Sequence, residues 1–595
     1  MKETDLSSPD YFHKVVNCQY ACPAHTPVPE YIRLIAEKRY TDAYMVNWTS
    51  NVFPGILGRV CDRPCEPACR RTRVDEAPVA ICRLKRVAAD HKGDISGFLP
   101  KIPTTKNSKR IALIGAGPAS LTVARDLMPL GYEITLIDRD AKAGGMVRSQ
   151  IPSFRLPETV LDEEVDLILN MGINTRFGTA INSLNTLLDE AFDAVFIGTG
   201  APVGRDLDIP GRKEAGKAVE IGINWLAGVA FEHIKQAGKK VIVLGGGNTA
   251  MDCCRTALRM GATEVQVVVR SSFEDMKASP WEKEDAQAEG INFINHHVPK
   301  EYLITDGKLT GMLFDVVESV YASNGKRSLV STGQAPVLIE CDEVLVAIGQ
   351  DARFPWIEAD LGIDFDKWGM PILNKESLQS TRADIFFGGD AALGPENVIT
   401  AVAHGHRAAV SIDLYCQGKD LNRDRPQEGY NLVSQKMGVH EWSYQNAVSN
   451  EHRQAVPHLE MAKALKDRKA EVELGFDDQL ALAEAARCLS CDVHTVFSAP
   501  HCIECGACED ICPMDCINFI ANGDEPELRA RLKVPASESR EALYISADLK
   551  TGQIMAKDED VCLHCGLCAE RCPTGAWDMQ KFTLTQAQVG TDATA

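Results

Sequence analysis

At 595 residues the chain exceeds a single hydrophobic core, and roughly three to five domains are expected. Its formal net charge of −20 without long basic runs argues against nucleic acid or an anionic membrane as partner, since both need clustered Lys and Arg. No apolar run approaches membrane-spanning length, and the opening MKETDLSSPDYFHK lacks the basic and apolar regions of a signal peptide, so a cytoplasmic location is expected. In that reducing compartment, 21 cysteines at repeated short spacings point to metal ligation rather than disulfides.

Residues 1–104 carry Cys18-x3-Cys22-Pro, then Cys61-x3-Cys65-x3-Cys69, then Cys82. This is iron–sulfur or zinc spacing. Between them, PVPEYIRLIAEKRYTDAYMVNWTSN repeats its apolar residues at three and four, which predicts helices with the ligands on the loops between them. Buried structural thiols are the bland alternative, and the fixed short spacings count against it.

Lys109 to Asp138 then reads as strand, turn, helix and strand. Ile111–Ile114 has buried-strand length, and Gly115-x-Gly117 lets the backbone turn against a pyrophosphate while the next helix aims its N-terminal donors there. Ser120 stands where a third glycine is usual, a position that needs only a small residue. Asp138, twenty-three residues after Gly115, can accept hydrogen bonds from the ribose hydroxyls of an adenine dinucleotide. Gly145, Arg155 in IPSFRLP, and Gly200 at the end of AFDAVFIGTGA are further candidates for contact with this cofactor.

The plan repeats from Lys239 to Arg270 with Gly245-x-Gly247-x-x-Ala250, so two dinucleotides are implied; Asn248 and Thr249 open the second helix. Arg270 ends the second strand, followed by Ser271 and Ser272. A cation with hydroxyl donors suits a ribose 2′-phosphate, which favours NADP over NAD; a solvated surface arginine is the alternative. The chain is then expected to rejoin the first domain with DEVLVAIGQ (Asp342–Gln350). In the following ADIFFGGDAALGPENVITAVAHGHRAAVSI, Gly389-Asp390 can hold the ribityl or pyrophosphate end of FAD, and the amides near Asn397 and Val398 open a helix whose positive end can stabilise a reduced flavin. An ordinary helix cap is the alternative role for Asp390.

Residues 421–495 read as a charged linker ending in a helix with Cys488-x2-Cys491. The tail shows Cys502-x2-Cys505-x2-Cys508-x3-Cys512-Pro and Cys562-x2-Cys565-x2-Cys568-x3-Cys572-Pro. Each run supplies three thiolates to one four-iron cluster and its fourth to the other, so the two fold together as a two-cluster ferredoxin; zinc rarely uses this signature. The charged segment Ala521–Lys557 between the runs is either a docking surface or a solvated loop.

The motifs NCQYACP, GRVCDRPCEPAC, PVAI, GAGPAS, IPSFRLP, GGGNTAMDCCR and GGDAALGPENV resemble the glutamate synthase small-subunit-like FAD and NAD(P)H iron–sulfur reductases, which include the electron-entry half of dihydropyrimidine dehydrogenase. The resemblance spans about residues 15 to 495. It implies an α/β protein with two Rossmann-like nucleotide-binding domains, the NAD(P)H domain (202–341) inserted in the FAD domain (105–201 and 342–420). A helical iron–sulfur domain (1–104) precedes them, and a linker with the returning Cys-x2-Cys helix (421–495) leads to a bacterial-ferredoxin-like α+β domain (496–595). It further implies two N-terminal four-iron clusters whose first motif reads Arg-Cys-x2-Cys shortly before Cys-x3-Cys-Pro. That half is missing at the N-terminus, and Arg487-Cys488-x2-Cys491 stands at the far end of the reductase instead. The tail is therefore expected to fold back, giving one cluster Cys18, Cys69, Cys488 and Cys491 and the other Cys22, Cys61, Cys65 and Cys82, a buried thiol on a helix being the alternative for Cys82. Cys253, Cys254, Cys341, Cys416 and Cys516 are left unliganded.

No nucleophile, acid–base pair or substrate motif remains. The expected function is a diaphorase-type electron-transfer subunit carrying FAD, NADP (or NAD) and four [4Fe-4S] clusters. Its partner would be an oxidoreductase subunit or ferredoxin, such as a 2-oxoacid:ferredoxin oxidoreductase or a glutamate synthase large subunit. A self-contained NADPH-dependent reductase acting at the flavin and a non-catalytic cluster scaffold are the alternatives.

Overall fold

Two five-stranded parallel sheets carry the two glycine loops. In the computed structural model, which describes all residues except 322, 324–326, 437–447, 524, 532–542 and 591–595, the first sheet runs Ile385–Phe387, Ala194–Ile197, Arg110–Ile114, Glu133–Ile137, Asn174–Arg176 in spatial order. Its inner strands are continuous apolar runs buried on both faces, as parallel sheets require. The second sheet runs Val219–Ile221, Glu343–Val346, Lys240–Leu244, Glu264–Val268, Asn292–Ile294, again all parallel.

This order corrects the expected point of return. Glu343–Val346 lies between Val219–Ile221 and Lys240–Leu244 in the second sheet, not in the first. A buried four-residue apolar strand reads alike in either sheet, so sequence could not assign it. The crossing is made by Gln350–Asp351, antiparallel to Val203–Gly204, and the first sheet is regained only at Ile385–Phe387. Antiparallel strands His297–Thr305, Lys308–Tyr321, Arg327–Ser331 and Val337–Glu340 extend the second domain.

The chain divides into a nucleotide unit, Pro100–Asp424 with Pro457–Leu474, and a cysteine unit, Met1–Leu99 with Arg425–Val456 and Gly475–Ala595. The cysteine unit opens with seven helices between Pro9 and Asp90. Cys18 lies in the helix Asn17–Tyr20 and Cys82 in Ile81–Asp90, so these two thiols are helical rather than on loops. The ferredoxin-type part has two three-stranded antiparallel sheets, and a short helix carries the third cysteine of each run, Ala507–Ile511 and Leu567–Arg571. One sheet places Trp577–Thr585 between Val493–Phe497 and Gly429–Ser434. The stretch expected as a linker thus supplies strands on both sides: Tyr430 and Leu432 pair with Leu584 and Phe582, an alternation too short to stand out among charged neighbours. Of the Ala521–Lys557 segment, residues 524 and 532–542 lie outside the described residues; Glu525–Arg531 is a helix and Gln553–Asp558 a strand.

Candidate cofactor-binding sites

Both glycine loops close against the strand beside them. Gly115 has φ +90 and its amide donates to Ile137; an added Cβ would stand 2.6 Å from Gly198 O. Gly245 has φ +136, and an added Cβ would collide with Ala347 O. Only glycine fits either place. Gly117 and Gly247 cap the helices Pro118–Leu127 and Asn248–Arg259, and an added Cβ at Gly247 would meet open space, so main-chain donors there face a vacant cradle.

Asp138 accepts from the amides of Ala116 (2.6 Å) and Asp140 (2.8 Å), fixing it under the first loop, and burial raises its pKa. Its two oxygens retain lone pairs for ribose hydroxyls. Ser120 Oγ and Thr199 Oγ1 are buried without a partner, and Thr199 adjoins Gly200; such orphaned hydroxyls fit a site built for a polar ligand. Gly145 introduces the helix Met146–Gln150. Asp390 accepts only the Glu396 amide at 3.1 Å, and burial pushes its pKa up to about 6. Asn397 caps the nineteen-residue helix Val398–Cys416 through Thr400, leaving the amides at Val398 at a positive helix end.

In the second domain Asn248 is spent on structure: its Oδ1 accepts from the Ser279 amide and its Nδ2 donates to Ser279 Oγ. Thr249 is half-buried on the same first turn and Arg270 is exposed just past Glu264–Val268.

Arg155 departs from its expected cofactor contact. Its guanidinium is paired with Asp252 at 2.7 Å and Glu282 at 2.6 Å, both buried. Glu282 also takes Arg255, Arg255 and Arg259 share Glu289, and both arginines lie over the Phe154 ring at 5.1 and 4.0 Å. Arg155 is therefore a clamp between the IPSFRLP loop and the helix Asn248–Arg259. The acids that hold it sit far along the chain, where no local pattern marks them.

In the cysteine unit, Cys18, Cys69, Cys488 and Cys491 line one pocket of about 350 Å³ with Val28, Ile32 and Ile81. Arg487, 0 % exposed, brings the last two there: it binds Asp75 and Glu484 and donates to the carbonyls of Ala77, Pro78 and Glu451. Asp75, shared with Arg71 as well, is pulled down to about 2 by these hydrogen bonds. Cys82 receives hydrogen bonds from Cys61 and Cys65, which lower its pKa and raise theirs, with burial adding to the rise of Cys61 and Cys65. Lys85, fully buried and bonded to Asn51, sits among Cys82, Cys61, Cys22 and Cys65, a cation suited to a site that gathers negative charge.

A second pocket of about 280 Å³ is lined by Cys502, Cys505, Cys508 and Cys572, and Cys565 lies within the fields of Cys562 and Cys512. The thiol loops share one turn. Arg63, Glu504 and His564 each stand two residues after a cysteine with φ 55 to 58, and their amides donate to Cys61, Cys502 and Cys562 sulfur at 3.3 to 3.4 Å. Amide donors aimed at sulfur suit thiolates that hold clusters. All 21 cysteines are free. Cys516, expected to be an unliganded thiol, packs 3.4 Å from Cys512 at the place Ala576 takes in the second run.

Comparison with known proteins agrees with this arrangement. The family model described as pyridine nucleotide-disulphide oxidoreductase matches residues 109–405, dihydropyrimidine dehydrogenase domain II with a 4Fe-4S cluster matches 12–95, and the 4Fe-4S dicluster domain matches 501–576. The NADPH-Fe(3+) oxidoreductase subunit beta of Geobacter sulfurreducens is 32% identical over 82% of this chain and 77% of its own length. The NADP(+)-dependent formate dehydrogenase subunit beta of Moorella thermoacetica is 34% identical over 80% of this chain and 70% of its own. The glutamate synthase [NADPH] small chain of Azospirillum brasilense is 29% identical over 68% and 86%. Among solved structures, Mycobacterium tuberculosis FprA in complex with NADPH aligns with TM-score 0.45 and 17% identity over 52% of this chain and 85% of that one. With two dinucleotide cradles, thiol sets on both flanks and these relatives, the chain belongs to the glutamate synthase small-chain-like family of FAD-dependent NAD(P)H iron–sulfur oxidoreductases and is of the electron-transferring, diaphorase type.

Proposed function

We propose that the chain is the NADPH-linked electron-transfer subunit of a larger oxidoreductase. The loop of Gly115 and Gly117, with Ser120, Asp138 and Asp390, holds FAD. The loop of Gly245 and Gly247, with Arg270, holds NADPH. Sixteen cysteines hold four [4Fe-4S] clusters: Cys18/Cys69/Cys488/Cys491, Cys22/Cys61/Cys65/Cys82, Cys502/Cys505/Cys508/Cys572 and Cys512/Cys562/Cys565/Cys568. When bound, FAD takes hydride as a two-electron step and exchanges electrons singly with clusters.

The observation that carries the reading is the pairing of two glycine cradles with two sets of four thiols that each line one pocket. The chain's own residues bind, orient and insulate, and no side-chain acid is assigned to the chemistry. Relatives named as subunits of iron, formate and glutamate enzymes support a partner, an oxidoreductase subunit or a ferredoxin. Arg270, exposed beyond the second strand and followed by Ser271, supports NADPH.

The test is to purify the holoprotein and measure flavin, iron and dye reduction. One FAD, about sixteen irons and faster turnover with NADPH are expected. Equal or better turnover with NADH would sink the NADP assignment, and an iron content near half that value would remove two clusters. Affinity capture from the native source then identifies the partner.

A further inference from the structure

The two cysteine runs of the ferredoxin-type part are copies of one another, and the structure treats them unequally. Residues 502–513 and 562–573 correspond position by position, with the same turn at Glu504 and His564 (φ 55 each) and the same left-handed glycine at 506 and 566. In the second run His564 is 1 % exposed, and Gly566 and Ala569 are buried. In the first, the counterparts Glu504, Gly506 and Glu509 are only half-buried, Cys505 is exposed, and Ile503 and Ile511 are 56% and 39% exposed.

What covers the second run is the N-terminal cysteine region. Arg70, next in chain to Cys69, donates to the carbonyls of Glu559 and of Cys562, the latter at 2.8 Å. Its Nε is held at 2.5 Å by Asn17, which precedes Cys18. Tyr11 donates to Glu559, which also takes Lys557 at 2.6 Å. The segments that present Cys18 and Cys69 are thus tied by one guanidinium to the loop that presents Cys562. On the Cys502 run the ties come from its own ferredoxin-type part: Thr551 donates to Glu504, and Trp577 bonds Cys508.

Resting on the electron-transfer reading above, we infer that the two ferredoxin-type sets have different jobs. The Cys512/Cys562/Cys565/Cys568 set is the inner one, joined to the N-terminal set through Arg70 as a positioning residue. The Cys502/Cys505/Cys508/Cys572 set is the outer one, and the face around it is where the redox partner docks. That face presents two isoleucines beside an exposed ligand, with Glu504, Glu509 and Asp510 at its edge. The partner it fits is a protein with a small apolar centre and a rim of Lys and Arg, because opposite charges steer the encounter and the isoleucines bury once it is made. The exchange there is a single electron, one side oxidised and the other reduced, with no bond formed.

The experiment uses the holoprotein and cytochrome c, chosen as a basic one-electron probe. Binding is followed by surface plasmon resonance at low salt on samples of equal iron and flavin content. Glu509→Lys/Asp510→Lys is expected to weaken binding about tenfold or more, and Glu570→Lys, at the counterpart of Asp510 in the inner run, to change it less than about twofold. The neutral pair Glu509→Gln/Asp510→Asn, expected to weaken it about threefold, serves if charge reversal disturbs folding. Equal effects at the two runs, or none at the first, overturn the docking assignment. In redox titrations followed by electron paramagnetic resonance, Arg70→Gln should move one ferredoxin-type signal to more negative potential, since a cation leaves its neighbourhood. Cys505→Ser marks the outer signal; if that signal is the one Arg70→Gln moves, the inner assignment fails. Absence of NADPH-to-dye turnover in the unaltered protein would instead defeat the underlying subunit reading.

Discussion

The nucleotide unit and the cysteine unit prepare for their cofactors by opposite means. In the first, the contacts are main-chain: positive-φ glycines, helix N-termini and a carboxylate held by amides under the loop. In the second they are side chains drawn from distant parts of the sequence, with amides and buried cations behind them. A main-chain cradle fails when a side chain is added, and a thiol site fails when one is taken away. The two units therefore predict opposite sensitivities.

The largest effect is expected from Cys488→Ser/Cys491→Ser, which should remove about four irons and one N-terminal cluster signal while the ferredoxin-type pair survives; undiminished iron would dissolve the fold-back set. Next is Arg155→Ala, which leaves Asp252 and part of Glu282 uncompensated in the interior and should cost about 3 kcal/mol in urea unfolding of the flavin-stripped protein. A loss under about 0.5 kcal/mol would show the clamp to be incidental. Gly245→Ala should lower NADPH-to-dye turnover by roughly ten- to a hundredfold while bound flavin stays constant, because strain and the clash with Ala347 O fall on the second loop only. Parallel flavin loss would break the assignment of one cofactor per loop.

Smaller still, Arg270→Ala should raise the KM for NADPH about tenfold and leave that for NADH nearly unchanged, as only a 2′-phosphate contact is removed. A rise in both would give Arg270 a structural role. Asp390 sets a pH effect of about 3 kcal/mol in all, of which about 1 kcal/mol falls between pH 5 and 7.5. Its folded pKa of about 6 lies above the unfolded value, so the folded state holds the extra proton; stability is highest below the unfolded value, falls as pH rises from about 4 to about 6, and is lowest above. Unfolding of flavin-free protein between pH 5 and 7.5 should show this slope, and Asp390→Asn should flatten it.

Much of this contrast is legible in sequence because both chemistries repeat at short range. Gly115-x-Gly117 and the doubled cysteine runs announce themselves within a dozen residues, and the Arg487-Cys488 pair marks the returning helix. What stays hidden depends on contacts that are remote in the chain. Glu343–Val346 could have joined either sheet, since parallel strands buried on both faces have the same apolar look. Gly429–Ser434 is a strand only because Trp577–Thr585 pairs with it. Arg155 carries the chemistry of a phosphate ligand, and only the two acids waiting across the fold divert it.

The clasp of Arg487 on Asp75 has a consequence for how the protein is made. The two residues are separated by 412 positions, with the whole nucleotide unit between them. During synthesis at about 5–20 residues per second, the segments holding Cys18 and Cys69 leave the ribosome tens of seconds before the segment that completes their packing. For that interval Asp75 has Arg71 but lacks the second of its two arginines, and two thiols face a half-built pocket. The nucleotide unit, whose sheets close within a shorter span of chain, can be folded by then. Iron loading of the N-terminal set is in this way scheduled after translation of the reductase, so a truncated product carries no finished fold-back site.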